Sequence, residues 1–431
     1  MNPLLFFTDP VFSAPTIAML LMGLACGMVG VLVFVRKRSL LGETLSHATY
    51  PGVALAAFFL TGSFLSWGIM VGAFVSSLVA LFLIERLITR YRISEDAALC
   101  FTLATFFGLG VTVVSLVQNI KGSVYRQIQA YLYGQAATMT DRNVWIYALF
   151  FVLVLVCLFL FYRELQVLLF DPLFAKISDL SVKMIRLLVH FLLTCAIVIS
   201  IRSVGVILMT AMLIGPPVAA RQYTNKLSTL FILSGLFGML GAFFGNLLSV
   251  YLSLWTSISF PTGPVVVLCI AIISLFSIMM APHRGLLFRF IRIAHFRLDR
   301  VSENILKTIW HLSSKEGTPF CEIEKRQGFS KWYLIFHIKR LCRKGLLKQA
   351  HGGCYRLTLQ GEKMGARIVR LHRLWELYLV NYLGMGAQKV HANAEEMEHI
   401  LTPAMEQELT QLLKDPKVDP HQQPIPLLEE G

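Results

Sequence analysis

The sequence predicts a mainly α-helical chain in two parts, a polytopic membrane domain of about nine transmembrane helices followed by a winged helix-turn-helix domain and a second helical domain. Three observations predict this fold class. Of the 431 residues, 56% are hydrophobic and only 15% are charged, whereas soluble globular chains carry about 25% charged residues. The formal net charge is nevertheless +14. The apolar and the charged residues also occupy different parts of the chain.

The positive charge is concentrated in one block. Residues 284–375 contain twenty Lys and Arg against six Asp and Glu, and residues 376–431 contain three against ten. The first 283 residues contain sixteen against nine. A long apolar region is therefore followed by a basic block of +14 and an acidic part of −7. The apolar content excludes a disordered chain, and the thinly spread cysteines exclude a disulfide scaffold.

The first 283 residues contain nine apolar segments that approach the length of about 20 residues needed for a transmembrane helix. The segments are 14–35, 48–61, 64–85, 97–117, 143–162, 187–201, 204–219, 228–252 and 262–281. Three of them are short and rich in Gly or Pro, so a count of eight stays open. With the N-terminus outside, the inner loops hold twelve Lys or Arg and the outer loops four. This asymmetry places the basic block in the cytoplasm.

Two ionisable residues occur where the chain is otherwise apolar. Glu43 and His47 are four residues apart, so they share one face of a helix. A carboxylate and an imidazole on one face can bind a divalent transition metal, and ionisable groups at membrane depth usually face a bundle interior or an aqueous path. The alternative is a solvated cytoplasmic loop, because the basic run 36–38 lies just upstream.

Several strings in this region resemble the metal-ion permeases of zinc, manganese and iron ABC importers. They are RKRSLLGETLSHATYPGVALA (36–56), VSLVQNI (114–120), YLYGQ (131–135), VGVILMTAMLIGPPVAAR (204–221) and PTGPVVVL (261–268). The resemblance covers about residues 10–281 and implies a permease subunit of the bacterial inner membrane. The implied partners are a second permease subunit, identical or homologous, a cytoplasmic ABC ATPase and an extracytoplasmic metal-binding protein. It also implies a metal site in the transport pathway at Glu43 and His47, with Glu43 in place of the usual Asp.

The string FDPLFAKISDLSVK (170–183) resembles the cytoplasmic loop by which such permeases engage their ATPase. The resemblance assigns this coupling to Asp171, Pro172 and Ala175, and an ordinary interfacial loop is the alternative. The sequence contains no GxxxxGK[ST] phosphate loop. The chain is therefore predicted to be a permease subunit and not an enzyme, with ATP hydrolysis supplied by a separate chain.

The basic block predicts a linker and a DNA-binding domain. In the linker, residues 284–300, arginines alternate with Leu, Phe and Ile, a pattern that suits an anionic membrane surface or a positive-inside stop. Residues 301–358 predict three helices and a β-hairpin, the order of a winged helix-turn-helix, whose second motif helix enters the major groove. DNA contacts are predicted for Lys331, Trp332, Tyr333, His337, Lys339 and Arg340. A winged helix that contacts protein is the alternative.

The acidic part carries His and Glu at helical spacing. The six residues are His372, Glu376, His391, Glu395, Glu398 and His399. Imidazoles and carboxylates without a nearby thiol suit Mn(II), Fe(II) or Zn(II) rather than Cu(I). Residues 359–426 are therefore predicted to be a metal-binding domain, followed by a tail at 427–431. The alternative is surface charge on an acidic dimer helix.

Residues 301–426 resemble the iron- and manganese-dependent repressors of the diphtheria toxin repressor class. The motifs are LTLQGEKMGARIVRLHRLWE (357–376), KVHANAEEMEH (389–399) and DPHQQPIP (419–426). The resemblance implies a homodimer that binds operator DNA. It also implies a primary metal site at Glu395, Glu398 and His399 and an ancillary site at His372, Glu376 and His391. Asn304 stands where the family's first helix supplies Met or Asp, which leaves the metal open between Fe²⁺ and Mn²⁺, with Zn²⁺ as a third candidate.

Together these features predict the permease subunit of an ATP-driven importer of a divalent metal, fused to a metal-dependent transcriptional repressor. The alternative is a permease whose C-terminal domain senses metal and regulates transport in cis without binding DNA. Trp332, Tyr333 and Phe336 favour this alternative, because they stand where the repressors usually have small polar groups. A repressor tethered to a membrane reaches only nearby DNA, so proteolytic release within 284–300 is a further expectation.

Overall fold

The computed structural model describes residues 7, 9–60, 65–120, 122–134, 139–177, 182–206, 208–282, 284–312, 317–350 and 353–427. The chain is mainly α-helical, as the sequence predicts. It divides into two compact units, Met1–Arg289 and Phe290–Gly431.

The described residues of the first unit form twelve helices. They are α1 (Pro10–Val35), α2 (Ser39–Phe59), α3 (Leu65–Thr89), α4 (Glu95–Ile120), α5 (Gly122–Tyr133), α6 (Asp141–Leu160), α7 (Tyr162–Phe170), α8 (Pro172–Ile177), α9 (Val182–Val204), α10 (Met209–Arg221), α11 (Leu227–Thr256) and α12 (Thr262–Met280). Seven of them, α1, α3, α4, α6, α9, α11 and α12, are long and apolar enough to cross a membrane.

The two remaining predicted spans correspond to α2 and α10. Helix α2 has 21 residues but contains polar side chains, and α10 has only 13 residues, fewer than the roughly 20 that a full span needs. The count of nine therefore stays a prediction. The orientation predicted from the loop charges also stays a prediction, because the division into inner and outer loops assumes nine spans.

Close helix packing in the first unit depends on small residues. Helices α1 and α11 approach so closely that a Cβ added at Gly23 would lie 2.5 Å from the carbonyl oxygen of Gly238. Ser234 Oγ of α11 donates a hydrogen bond to the Gly27 carbonyl of α1. Small side chains allow such approaches between membrane helices. Helix α2 packs against α3 and α4 and also contacts α9 and α10, which places its two ionisable residues inside a helical bundle.

The second unit begins within a long helix. Helix α13 (Leu286–His311) includes most of the predicted linker and the predicted first helix, which was expected to start at residue 301. No Gly or Pro occurs between its ends, so the backbone has no reason to stop at residue 300. The linker is helical where the structure describes it, and its residues 286–297 are exposed.

A small three-stranded sheet follows α13. The elements are β1 (Thr318–Pro319), α14 (Phe320–Gln327), α15 (Lys331–Arg343), β2 (Leu347–Gln349) and β3 (Cys354–Leu357), and the antiparallel strand order is β1-β3-β2. Ile305 and Ile309 of α13 pack with Ile323, Leu334 and Ile338 in one apolar core. The elements occur in the order of a winged helix-turn-helix.

The remainder of the second unit is helical. Helix α16 (Leu359–Asn381) is followed by a 3₁₀ turn (Ala387–Lys389), α17 (Val390–Met397) and α18 (Pro403–Leu412). Leu371 of α16 packs with Leu401 and Leu409 in a second apolar cluster. The chain then returns along α16 as a tight hairpin, in which Val418 pairs with Pro424. This hairpin places the last described residues beside the middle of α16.

Candidate metal centre

The predicted His and Glu residues of the second unit come together beside α16. Helix α16 supplies His372 and Glu376, and His391 is the second residue of α17. Glu398 and His399 follow the last residue of α17. Helix α13 contributes two further side chains to the same region, Glu303 and Lys307. The sequence did not predict either residue as part of a metal site.

Three donor atoms form a compact triangle. His372 Nε2 lies 3.2 Å from Glu376 Oε1, His391 Nδ1 lies 3.0 Å from the same oxygen, and the two ring nitrogens are 3.0 Å apart. Ligand atoms that each lie about 2.1 Å from one ion, at octahedral or tetrahedral angles, are about 3.0–3.4 Å apart. The three atoms therefore have the spacing of ligands around a single divalent cation.

The carboxyl group of Glu376 is held ionised. Burial opposes its ionisation, but hydrogen bonds from His372 and His391 outweigh burial and lower the pKa of Glu376 from 4.5 to about 2. Burial also opposes the charged form of His372 and by itself would lower its pKa. The hydrogen bonds of His372 to Glu376 and Glu398 outweigh burial, so the pKa of His372 is raised overall. Glu376 is 2% exposed. An anionic oxygen is thus available for a cation in a buried position.

The second half of the centre is occupied by a lysine. Lys307 Nζ donates to both carboxylate oxygens of Glu398, at 2.7 and 3.0 Å, and lies 3.1 Å from His372 Nδ1. His372 Nδ1 is also 2.5 Å from Glu398 Oε2. The Glu398 side chain is fully buried, and that of Lys307 is 14% exposed. The Lys307 ammonium therefore contacts both Glu398 and His372, and the buried carboxylate of Glu398 is neutralised by a cation of the chain itself.

His399 presents a free nitrogen to the same carboxylate. Its Nδ1 lies 2.6 Å from Glu303 Oε2, which fixes the ring, and its Nε2 lies 3.6 Å from Glu398 Oε1. Nε2 is buried and has no hydrogen-bond partner in the described part of the chain. A buried nitrogen oriented by a carboxylate on its other side is the usual arrangement of a metal-binding histidine. The residues present therefore fit a divalent cation at Glu398 and His399.

Glu395 lies apart from the other two predicted primary ligands. Its side chain is 60% exposed, and Oε1 lies 3.8 Å from His391 Nε2. Among the described residues, no side-chain hydrogen bond or ion pair joins Glu395 to Glu398 or His399. Glu303 contacts His399 instead. Glu303 directly precedes Asn304, the position at which the resemblance to the repressors places a metal ligand. This adjacency is the signal by which the sequence could have indicated Glu303.

The predicted DNA contacts differ in exposure. Lys331, Trp332, Tyr333 and Lys339 are exposed on α15, and Arg340 is partly exposed and pairs with Asp299 at 2.9 Å. The assignment of His337 to a DNA contact is wrong for this conformation, because its side chain is fully buried and its Nδ1 lies 3.1 Å from Ser302 Oγ. Position 337 falls on the core-facing side of α15 with Leu334, Ile338 and Leu341.

The two ionisable residues of the first unit lie on α2. Glu43 and His47 are partly buried and one helical turn apart. The ring centroids of His47 and Phe107 are 5.1 Å apart in an edge-to-face arrangement. The Nδ1 atom of His47 is buried without a hydrogen-bond partner in the described part of the chain. A buried imidazole nitrogen without a partner is costly unless it has a ligand.

The predicted coupling segment forms the short helix α8. Asp171 Oδ1 accepts a hydrogen bond of 2.8 Å from the Phe174 amide and so caps the helix that begins at Pro172. Ala175 is buried, whereas the side chains of Phe174 and Ile177 are exposed. The side chain of Pro172 lies outside the described residues. The helix therefore presents an exposed apolar surface.

The fold and the donor residues define a class, a multi-pass membrane protein with a separate helical metal-binding unit. Residues 9–281 match the ABC 3 transport family, and residues 358–427 match the family described as iron dependent repressor, metal binding and dimerisation domain. The chain belongs to the ABC 3 transport family. It is thus a permease subunit of a metal ABC transporter with a C-terminal repressor-type domain, and the predicted non-enzymatic role is confirmed.

Relatives and a solved structure agree with this assignment. The probable metal transport system membrane protein of Chlamydia trachomatis is 35% identical over 97% of both chains. The manganese transport system membrane protein MntC of Bacillus subtilis is 31% identical over 85% of this chain and 83% of its own. PsaBC from Streptococcus pneumoniae, solved in complex with Fab, matches 67% of this chain and 97% of its own, with a TM-score of 0.56 and 27% identity.

Proposed function

We propose that this chain moves a divalent transition metal across the inner membrane and senses the same class of metal in the cytoplasm through its second unit. The observation that carries the sensing role is the triangle of His372, Glu376 and His391 beside a buried Glu398. Donor atoms of this type, without a described thiol contact, favour Mn²⁺ and Fe²⁺, with Zn²⁺ as the third candidate. The manganese named for one relative and the zinc named for another support a divalent transition metal of this group.

In the transport role, the unpartnered Nδ1 of His47 and the carboxylate of Glu43 would hold the substrate ion in passage. A second permease subunit would complete the pathway, and an extracytoplasmic metal-binding protein would deliver the ion. The exposed apolar face of α8 would receive the cytoplasmic ATPase, with the Asp171 cap keeping the helix in shape. Membership of the ABC 3 transport family supports all three partners. The exposed side chains of Phe174 and Ile177 support the contact with the ATPase.

In the sensing role, bound metal would supply positive charge that draws together donors of α13, α16 and α17. Glu398 would exchange the Lys307 ammonium for the ion, and His399 would contribute its free Nε2. Glu395 is three residues before Glu398, so a rotamer change could bring its exposed carboxylate to the same site. Metal would shift the population toward a DNA-binding homodimer only if that state binds it more tightly.

DNA binding rests on the exposed basic residues of α15. A mobility shift with the detergent-solubilised full chain and DNA from upstream of its own operon tests it. We expect a shift that requires Mn²⁺ or Fe²⁺, weakens with salt, and is lost when Lys331 and Lys339 are both changed to Ala, whereas Lys417→Ala leaves it unchanged. No shift at any metal concentration would refute the repressor function.

Regulation of transport in cis is the second candidate, and one observation favours it. Trp332 is 85% exposed and Phe336 is 53% exposed on α15, the helix expected to contact DNA. Exposed aromatic residues are typical of protein interfaces. If metal binding to the second unit alters uptake while DNA is not bound, this function replaces repression.

Proteolytic release of the second unit stays a proposal. The exposed helix at 286–297 would have to unwind before a protease could cut it. An immunoblot of cells grown with and without added metal tests this release, and full-length chain alone under both conditions would contradict it.

A further inference from the structure

Seven large apolar side chains lie exposed on the first half of α13, shortly after α12. All twelve residues from 286 to 297 are exposed, and Phe290 is 70% exposed. A large exposed apolar patch marks an interaction site. We propose that residues 286–298 of α13 bind the surface of a bilayer that contains anionic phospholipid. The proposal goes beyond transport and sensing, and it holds whether or not the second unit binds DNA.

Most of the exposed apolar residues form a stripe along one side of the helix. Spacings of three, four and seven residues link them into two neighbouring rows. The rows are Leu286, Phe290 and Ile293, and Leu287, Ile291 and Leu298. The same side continues into Val301 and Ile305, which are 8% and 0% exposed in the core of the second unit. Among the described residues, only the C-terminal half of this apolar side is therefore covered by protein.

The same segment carries positive charge that the described part of the chain does not neutralise. Residues 286–300 contain one aspartate and four arginines, which are Arg289, Arg292, Arg297 and Arg300. The aspartate, Asp299, pairs with Arg340 and Lys344 of α15 and its C-terminal end, at 2.9 and 3.2 Å. None of the four arginines forms an ion pair or a side-chain hydrogen bond with a described residue. Their charge is therefore available to an anionic partner.

The chain keeps the start of this segment close to the membrane domain. Five residues, 281–285, separate α12 from α13. An extended chain covers at most about 3.6 Å per residue, and the Gly285 amide donates to the Ala281 carbonyl at 2.7 Å, which shortens the connection further. Arg284 also donates a hydrogen bond to Asn225, in the turn between α10 and α11. The first turn of α13 is therefore within reach of the lipid headgroups at the end of α12.

Charge favours anionic lipid over a second copy of the chain as the occupant of the stripe. Two copies that paired here would bring two sets of unpaired arginines together, and like charges repel. An anionic bilayer supplies the opposite charge, and a basic helix with an apolar side binds such a surface through both. Arginine stems can lie along apolar surface while their guanidinium groups reach lipid phosphates. A lipid-bound helix would also be shielded from proteases, so release of the second unit would require it to leave the bilayer.

Amide hydrogen exchange of the full chain in nanodiscs tests the proposal. The chain is reconstituted as single copies in phosphatidylcholine, or in an equal mixture of phosphatidylcholine and phosphatidylglycerol. Residues 286–298 should exchange at least about tenfold more slowly in the anionic discs, and high salt should remove most of this difference because it screens the charges. Arg289→Gln combined with Arg292→Gln should lose most of the protection. Arg326→Gln combined with Lys363→Gln removes the same charge from exposed positions of the second unit, and this matched control should behave like the unchanged chain.

A second variant tests the apolar contact. Phe290→Gln combined with Ile293→Gln should lose the protection of 286–298 in the anionic discs, while the amides of 301–309 exchange as in the unchanged chain and so report an intact second unit. Equal exchange of 286–298 in neutral and anionic discs would overturn the proposal. Protection that appears only in discs with two copies would assign the stripe to self-association instead. Protection that requires added DNA rather than anionic lipid would assign it to DNA.

Discussion

The two candidate metal sites of this chain are built in different ways. The membrane site has two donors, Glu43 and His47, which one turn of α2 places side by side. The centre in the second unit gathers donors from α13, α16 and the α17 region. A substrate ion must leave its site in every transport cycle, so few ligands suit transport. A sensor must distinguish metal-rich from metal-poor states, so more ligands and a competing lysine suit sensing.

The largest expected effect separates the two sites by function. His47→Ala should lower uptake of isotopic Mn²⁺ on the order of 100-fold, because the pathway loses its only imidazole on that face of α2. His372→Ala should leave uptake within about twofold in cells that express the chain with its ATPase and binding protein. A comparable loss of uptake in both variants would contradict the division between the sites.

A smaller effect is expected within the metal centre of the second unit. Glu398→Gln removes a buried carboxylate that faces both His372 and His399. Metal affinity of the second unit should fall by about 50-fold, equivalent to about 2.3 kcal/mol. Competition with a fluorescent chelator measures it, and Glu396→Gln, an exposed neighbour, serves as the control. Equal affinities for the two variants would remove Glu398 from the site.

Lys307 should have opposite effects on metal binding and on metal-free stability. Lys307→Met removes the ammonium that competes with metal for Glu398, so affinity should rise by about tenfold, or about 1.4 kcal/mol. The metal-free protein should become less stable by about 3 kcal/mol, because a buried carboxylate loses its partner. Titration and thermal unfolding measure the two effects, with Lys325→Met as control. Unchanged affinity would show that Lys307 does not compete with metal.

The smallest expected effect concerns pH. Burial, followed by the nearby charge of Arg340, lowers the pKa of His337 below 6.5. A lowered histidine pKa means that the folded state favours the neutral ring, so this contribution to stability is complete above pH 6.5 and is lost as the pH falls through the folded-state pKa. The protection of the α15 amides against hydrogen exchange, corrected for the pH dependence of the intrinsic exchange rate, should therefore decrease as the pH falls below 6.5. His337→Asn should show a weaker pH dependence, and His295→Asn should not.

Most of the fold was predictable because it depends on local patterns. Apolar length predicted the seven helices that are long and apolar enough to cross a membrane. The helix spacing of His372 and Glu376 also survives in the structure. A new helix was predicted to begin at residue 301, after the linker, but α13 continues through that position. A change in the hydrophobic pattern does not end a helix whose sequence lacks Gly and Pro.

The sequence by itself determined which residue types could bind metal and on which helix each would lie. Only the tertiary structure decided how they combine. It placed Glu303 and Lys307 of α13 against His399 and Glu398, more than 90 residues later, and it turned His337 into the core. The physical reason is that spacing along a helix fixes neighbours only within that helix. Contacts between elements depend on how their apolar faces pack, which is why the contacts of Glu303 and Lys307 with the metal centre became visible only in the folded chain.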